Sequence, residues 1–202
     1  MRPLLNGGTL GGRKAYRLMF DRDRSVDNVS ELVRQHGSRL QALIGTQITG
    51  VWAAWEDSRD EWFADEAIVI ETGTSNLEIV CWKLSDIMMS WDEIDLNLKP
   101  NWMADWGPDL HLRWRRDALA STKQVVGRVV RGVNILEYLH KTVVVRDPQT
   151  PSNVGRRHES WLLHALEIEL ETGVCVVFND LDQNGVSTEA EAGPDFRRVP
   201  VR

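Results

Sequence analysis

Asp180-Leu181-Asp182-Gln183-Asn184-Gly185, closed by Glu191, is the stretch whose residue types and spacing come nearest to chemistry. It fits D-x-D-x-N-G-x5-E, the pattern of a calcium loop. Oxygens at alternating positions converge on a hard cation, the glycine allows the sharp turn, and the glutamate completes the shell. The flanks argue for something else. The residues before Asp180 alternate like a strand, where an EF-hand needs an entering helix. Gly193-Pro194 leaves no room for an exiting one, and Ser187 stands where an apolar residue is usual. A polar turn with Asn184-Gly185 at its tip explains the same residues without metal. Calcium held by Asp180, Asp182, Asn184 and Glu191 is the alternative, and no other cofactor is expected.

Other chemistries find less support. His158 and His164 could approach each other near Trp161, with His140 on an adjoining strand, but no cysteine or carboxylate stands at ligand spacing beside them. There is no Gly-x-Ser-x-Gly elbow. The Gly7-Gly8-Thr9-Leu10-Gly11-Gly12 run lacks a preceding strand and the lysine of a phosphate loop. Carboxylates that could act as an acid–base pair abound, but spacing does not say which are close.

Charge is more informative. The net charge of −6 conceals segregation: positions 51–95 hold twelve acids against Arg59 and Lys83, and 159–191 hold eight acids with no Lys or Arg. Such a chain does not suit nucleic acid, whose phosphates need a basic face. It suits a basic protein partner, or else a solvated acidic face that aids solubility. The arginines at 113–131, interleaved with Trp114, either bind a single strand or pair with the chain's own acids. Asp57, Asp60 and Glu61 fall in an expected turn. Trp62, or Trp102 and Trp106 further on, could supply the apolar anchor beside them.

The elements that must position these residues follow from periodicity. Apolar residues from Val26 to Ile44 recur at three- and four-residue steps, so 25–44 reads as helix, capped by Ser25 or Asp27, kinked or split at Gly37 and ended by Gly45. A short strand is expected at 15–20 after a flexible lead-in at 1–12. Strands are expected at 45–55, 62–71 and 77–82, with Leu77, Ile79 and Cys81 on one face. The plan then recurs. Gly127-Arg128-Val129-Val130-Arg131-Gly132-Val133 repeats Gly45-Thr46-Gln47-Ile48-Thr49-Gly50-Val51, and Ile168-Glu169-Leu170-Glu171-Thr172-Gly173 echoes Ile68-Val69-Ile70-Glu71-Thr72-Gly73. Duplication is the better explanation. A bulge or bend is expected at Gly50 and at Gly132, because Ile48 and Val51 stand an odd step apart. On the same alignment Val174, Val176 and Phe178 match Leu77, Ile79 and Cys81, and Leu166, Ile168 and Leu170 face inward.

The expected architecture is mainly β, or α+β. Two duplicated three-stranded antiparallel modules pack together with one N-terminal helix over an open edge or face. The segments are 1–44 tail and helix, 45–95 first module, 96–124 a Trp- and Arg-rich connector, and 125–202 second module. No apolar run reaches the ~20 residues a bilayer requires. Cys81 and Cys175 sit in strand-like runs and read as reduced core residues, which points to the cytoplasm. This format, a small acidic β-rich chain without catalytic motifs, resembles bacterial immunity proteins that neutralise toxins. The resemblance implies a protein-binding module facing a basic partner.

Overall fold

The computed structural model describes residues 25–83, 85–100, 111–144, 156–181 and 183–202. The lead-in, the strand expected at 15–20, Trp102, Trp106 and Asp182 lie outside them. Helix α1 spans Val29–Ala42, and its cap is Asn28, whose Oδ1 accepts the Glu31 N–H at 2.9 Å. Ser25 does other work, donating to Asp86. Gly37 does not break the helix. It is buried within it, in contact with Val33. Gly45, with φ of 88°, redirects the chain into the first sheet.

Strands β1 (Ile48–Glu56), β2 (Glu61–Trp62), β3 (Ile68–Thr72), β4 (Asn76–Trp82), β5 (Asp86–Trp91) and β6 (Leu112–Arg116) form one antiparallel sheet. Strands β7 (Val130–Val144), β8 (Arg156–Leu170), β9 (Val174–Asn179), β10 (Asn184–Ser187) and β11 (Phe196–Pro200) form the other. The expected strand at 62–71 is broken into β2 and β3, which both pair with one edge of β1. Two strands stand beyond those expected: β5 completes the first module, and β6, within the connector, returns to pair with the free edge of β1. Strand β8 begins at Arg156, well before Trp161.

The two-residue β2 aside, the two sheets share one order of five strands: β6-β1-β3-β4-β5 and β11-β7-β8-β9-β10. They meet where their first strands begin. Gly45 N–H donates to Val130 C=O at 2.9 Å, and Gly127 N–H to Ile48 C=O at 2.8 Å. Ile48 N–H donates to Arg128 C=O and Val130 N–H to Thr46 C=O, both at 2.9 Å. Each bond is the image of its mate under exchange of the two modules. Gln47 and Val129, which bridge each other, sit on the pseudo-two-fold axis.

The glycine bulges are present. Register shifts between Ile48 and Gly50 and between Val130 and Gly132. A carboxylate lies over each: a Cβ on Gly50 would come 2.9 Å from Glu71 Oε2, and one on Gly132 would come 2.6 Å from Glu169 Oε2. Opposite each bulge the same relation recurs, since Gly50 faces Glu71 and Gly132 faces Glu169. The Glu-Thr-Gly echo is thus displaced by two residues. In the first module it ends a strand, whereas Glu171-Thr172-Gly173 is the turn itself, closed by Leu170 N–H on Gly173 C=O at 3.0 Å. The facing pattern moves accordingly. Cys175 and Val177, not Val174, Val176 and Phe178, share the central core with Leu77 and Ile79.

That core lies between the sheets. Ile48, Ile70 and Ile79 from one and Ile135, Leu166 and Ile168 from the other are fully buried or nearly so. Alternation along half-buried strands aims these side chains together. Helix α1 adds Leu32, Leu40 and Leu43. It lies along β5, where Val26 bridges Ile87, Trp91 Nε1 donates to His36 and Arg39 pairs with Asp92. Among the described residues no helix is long and apolar enough to cross a membrane.

Candidate partner-binding surface

The acidic turn after β1 is where the sequence places it, but its charge is spent. Asp57 pairs with Arg113 at 2.6 Å and Arg115 at 3.0 Å. Asp60 pairs with Arg115 at 2.7 Å and accepts from Trp55 Nε1 at 3.0 Å. The Arg115 hydrogen bond, with help from Trp55, holds the Asp60 carboxyl below its ordinary range. Glu61 pairs with Arg59. Both partners of Asp57 and Asp60 come from β6, laid beside β1 by the antiparallel register that sets Ala53 against Arg115. Trp62 is half-buried and packs on the central core, so it is not a free anchor. Arg116 and Arg131 likewise pair with Glu71 and Glu171. Of the two sequence readings of the 113–131 arginines, the geometry shows self-pairing.

The metal reading meets a similar reassignment. Between β9 and β10 Asp180 N–H donates to Gln183 C=O at 2.8 Å. Asn184 turns inward and is 1% exposed. Its Oδ1 accepts Cys81 N–H, and its Nδ2 donates to Ala64 and Glu66 C=O, all at 2.8 Å. A side chain so committed fastens the second sheet to the first. Glu191 sits beyond β10, where its C=O accepts from Arg198. Among the described residues no group of three His, Cys, Asp or Glu side chains could hold a metal. The histidines separate too: His158 faces Thr142 and His140 faces Ser160 along the β7–β8 ribbon, while His164 joins an aromatic cluster.

No family model matches this chain, and no curated protein or solved structure shows significant similarity to it.

Two features escaped the sequence. One is a set of buried carboxyls. Glu66 is fully buried. Its Oε1 accepts only the Ala67 N–H at 3.1 Å, its Oε2 has no partner, and burial pushes its carboxyl up to about 7. Glu78, also fully buried, is raised by burial and accepts from Ser90 Oγ and from the N–H groups of Glu93 and Ile94. Glu167 forms a bidentate pair with Arg198 at 2.8 and 2.9 Å. The other feature is the outer face of the second sheet, where Tyr138, His164, Phe178 and Phe196 come together. Their sequence separations hide this. The strand-alternate placing of Val176 and Phe178 opposite Cys175 and Val177 was the available signal.

Each module holds both paired and unpaired acids, and in the second Glu137, Glu167, Glu171 and Asp195 are paired. Glu169 accepts from Asn134 at 2.8 Å, and Asp180, Glu189 and Glu191 form no ion pair among the described residues. Burial lowers the affinity of His164 for a proton, opposed by the nearby charge of Glu191.

Proposed function

We propose that this chain is a non-enzymatic binding module for a basic protein, and that its working charge lies on the second module. The observation that carries this reading is the uneven pairing of carboxylates. Asp57, Asp60 and Glu71, like Glu137, Glu167 and Glu171 of the second module, are answered by arginines of their own sheet, whereas Asp180, Glu189 and Glu191 form no ion pair among the described residues. Unpaired like charge does nothing for folding, but it steers an oppositely charged partner. Several polar groups are committed to structure: Asn184 joins the sheets, and Glu78 and Glu167 are held by hydrogen bonds. The format resembles bacterial immunity proteins, so a basic toxin is the first partner class to test. Two free buried cysteines, both pushed up to about 12 by burial, suit the reducing cytoplasm.

The test is kinetic. A partner captured from the source cell is identified, purified and passed over the immobilised chain at low and high salt. A partner of positive net charge, whose association slows as salt rises and slows further with Glu189→Lys plus Glu191→Lys, supports the reading. An acidic partner, a nucleic acid, or association indifferent to salt overturns it.

A further inference from the structure

The repeat extends beyond the strands. Helix α1 precedes β1, and a short 3-10 helix, Ala120–Gln124, precedes β7. Each leads into a glycine of positive φ, Gly45 at 88° and Gly127 at 84°. Between helix and glycine the same turn recurs. Thr46 N–H donates to Leu43 C=O at 2.9 Å, and Arg128 N–H to Val125 C=O at 3.1 Å. Matched residues at the helix ends are buried alike, Leu40 with Thr122 and Leu43 with Val125. Each helix also stands against the edge strand of its own sheet. Helix α1 lies along β5, and the 3-10 helix meets β10, where Gln124 donates to Thr188.

The far ends of the repeat match as well. After β6, Asp117 N–H donates to Val51 C=O at 2.7 Å, and after β11, Val201 N–H donates to Val133 C=O at 2.9 Å. Val51 and Val133 are the residues that follow the two bulge glycines. The repeated unit is therefore a helix and five strands, fastened at its end to the residue after the bulge. Ala118 and Leu119 are the only link from the first unit to the helix of the second. Asp117, at this junction, holds a φ of 52°, and its Oδ1 accepts Val51 N–H at 2.8 Å.

Neither unit covers its own inner face. Ile48, Ile70 and Ile79 of one pack with Ile135, Leu166 and Ile168 of the other. A sheet with one apolar face needs a cover, and an interface that resembles a core cut in half is that of an obligate dimer. The backbone of the seam has the symmetry of such a dimer. At a two-fold interface, a contact from one residue to a second is returned from the second to the first. The bonds Gly45 to Val130 and Gly127 to Ile48 form one such pair, and Ile48 to Arg128 and Val130 to Thr46 form another. Side chains then make the fit specific to the two units. Asn184 joins Cys81, Ala64 and Glu66, and Asn179 donates to Lys83 C=O. By register the counterparts of Asn184 and Asn179 are Ile87 and Cys81, whose side chains cannot repeat these bonds.

We infer that this chain is a dimer joined into one polypeptide. Residues 25–117 and 118–201 are its subunits, and the seam is their interface. Each recognises the other, from the same chain or from a second copy, without the covalent link.

The test cuts that link. A protease-recognition sequence is inserted between Asp117 and Ala118 of the full chain, and in a second variant between Ala118 and Leu119. After cutting, the halves elute together at the mass of the uncut chain, with an unchanged far-UV spectrum. Unfolded in urea and diluted, they regain that spectrum. Two differently tagged preparations, unfolded and refolded together, yield pairs with one half from each. Tenfold dilution lowers the apparent stability of the cut pair by about 1.4 kcal/mol and leaves that of the uncut chain unchanged, because only the cut pair dissociates on unfolding. Halves that lose their structure on cutting, or do not refold together, overturn the inference, and the chain is then one indivisible fold. Failure of both uncut variants to fold overturns it too, since a link between subunits tolerates added length.

Discussion

Replacing Glu66 with Gln tests the account of the seam between the sheets most directly. The Glu66 carbonyl accepts from Asn184 of the second sheet, while its carboxyl is fully buried with one oxygen unpartnered. Burial raises the carboxyl from 4.5 to about 7 in the folded chain. Below pH 4.5 both folded and unfolded chains hold the proton, and there is no penalty. As pH rises from 4.5 to 7 the unfolded chain releases its proton while the folded chain retains it, so stability falls. Above 7 both are ionised, and the loss levels off at about 3 kcal/mol. Glu66→Gln cannot titrate. Its constant costs, including an amide without an acceptor, cancel when the variant is compared with itself at two pH values. Guanidinium unfolding of both proteins at pH 5 and pH 8 gives four free energies. Between those pH values the variant gains about 2–3 kcal/mol relative to wild type. Other titrating groups, such as Glu78, move both proteins alike. A difference that stays constant from pH 5 to pH 8, or shifts toward wild type, refutes the reasoning.

Asn184→Ala removes the acceptor for Cys81 N–H and the donor to two carbonyls. It should lower unfolding free energy by about 2–4 kcal/mol by chemical denaturation, with no dependence on calcium. Gly185→Ala forces the Phe178 ring off the strand. A cost of about 1–3 kcal/mol is expected, together with a changed Phe178 environment by NMR. Asp57→Asn removes pairs whose partners Arg113 and Arg115 are 58% and 25% exposed. Its melting curve should move by less than about 1 kcal/mol in stability, and association with a basic partner should be nearly unchanged. His164 should titrate below the ordinary histidine value of 6.5 in an NMR pH series, because burial outweighs the charge of Glu191.

What the sequence determined by itself was local or repeated. Side-chain alternation specified the faces of β4 and β8, because Leu77, Ile79 and Cys81, like Leu166, Ile168 and Leu170, must share one side of a pleated strand. The paired glycine motifs specified both the duplication and the bulges at Gly50 and Gly132, since an odd step between inward residues has few other solutions. Tertiary structure decided what depends on a distant partner. The Glu-Thr-Gly echo marked the duplication but misplaced its register by two residues, because hydrogen bonding across the β8–β9 turn, not local composition, sets which residues are paired. Strands β5 and β6 were hidden among Trp, Pro and Gly residues and exist because β4 and β1 offer free edges. Asn184 reads as a turn residue or a ligand until Cys81, over a hundred residues earlier in the chain, is brought to 2.8 Å. The acids at 57–60 read as a binding surface until β6 lays its arginines beside them. The rings of Tyr138, His164, Phe178 and Phe196 form one face only because four strands align them.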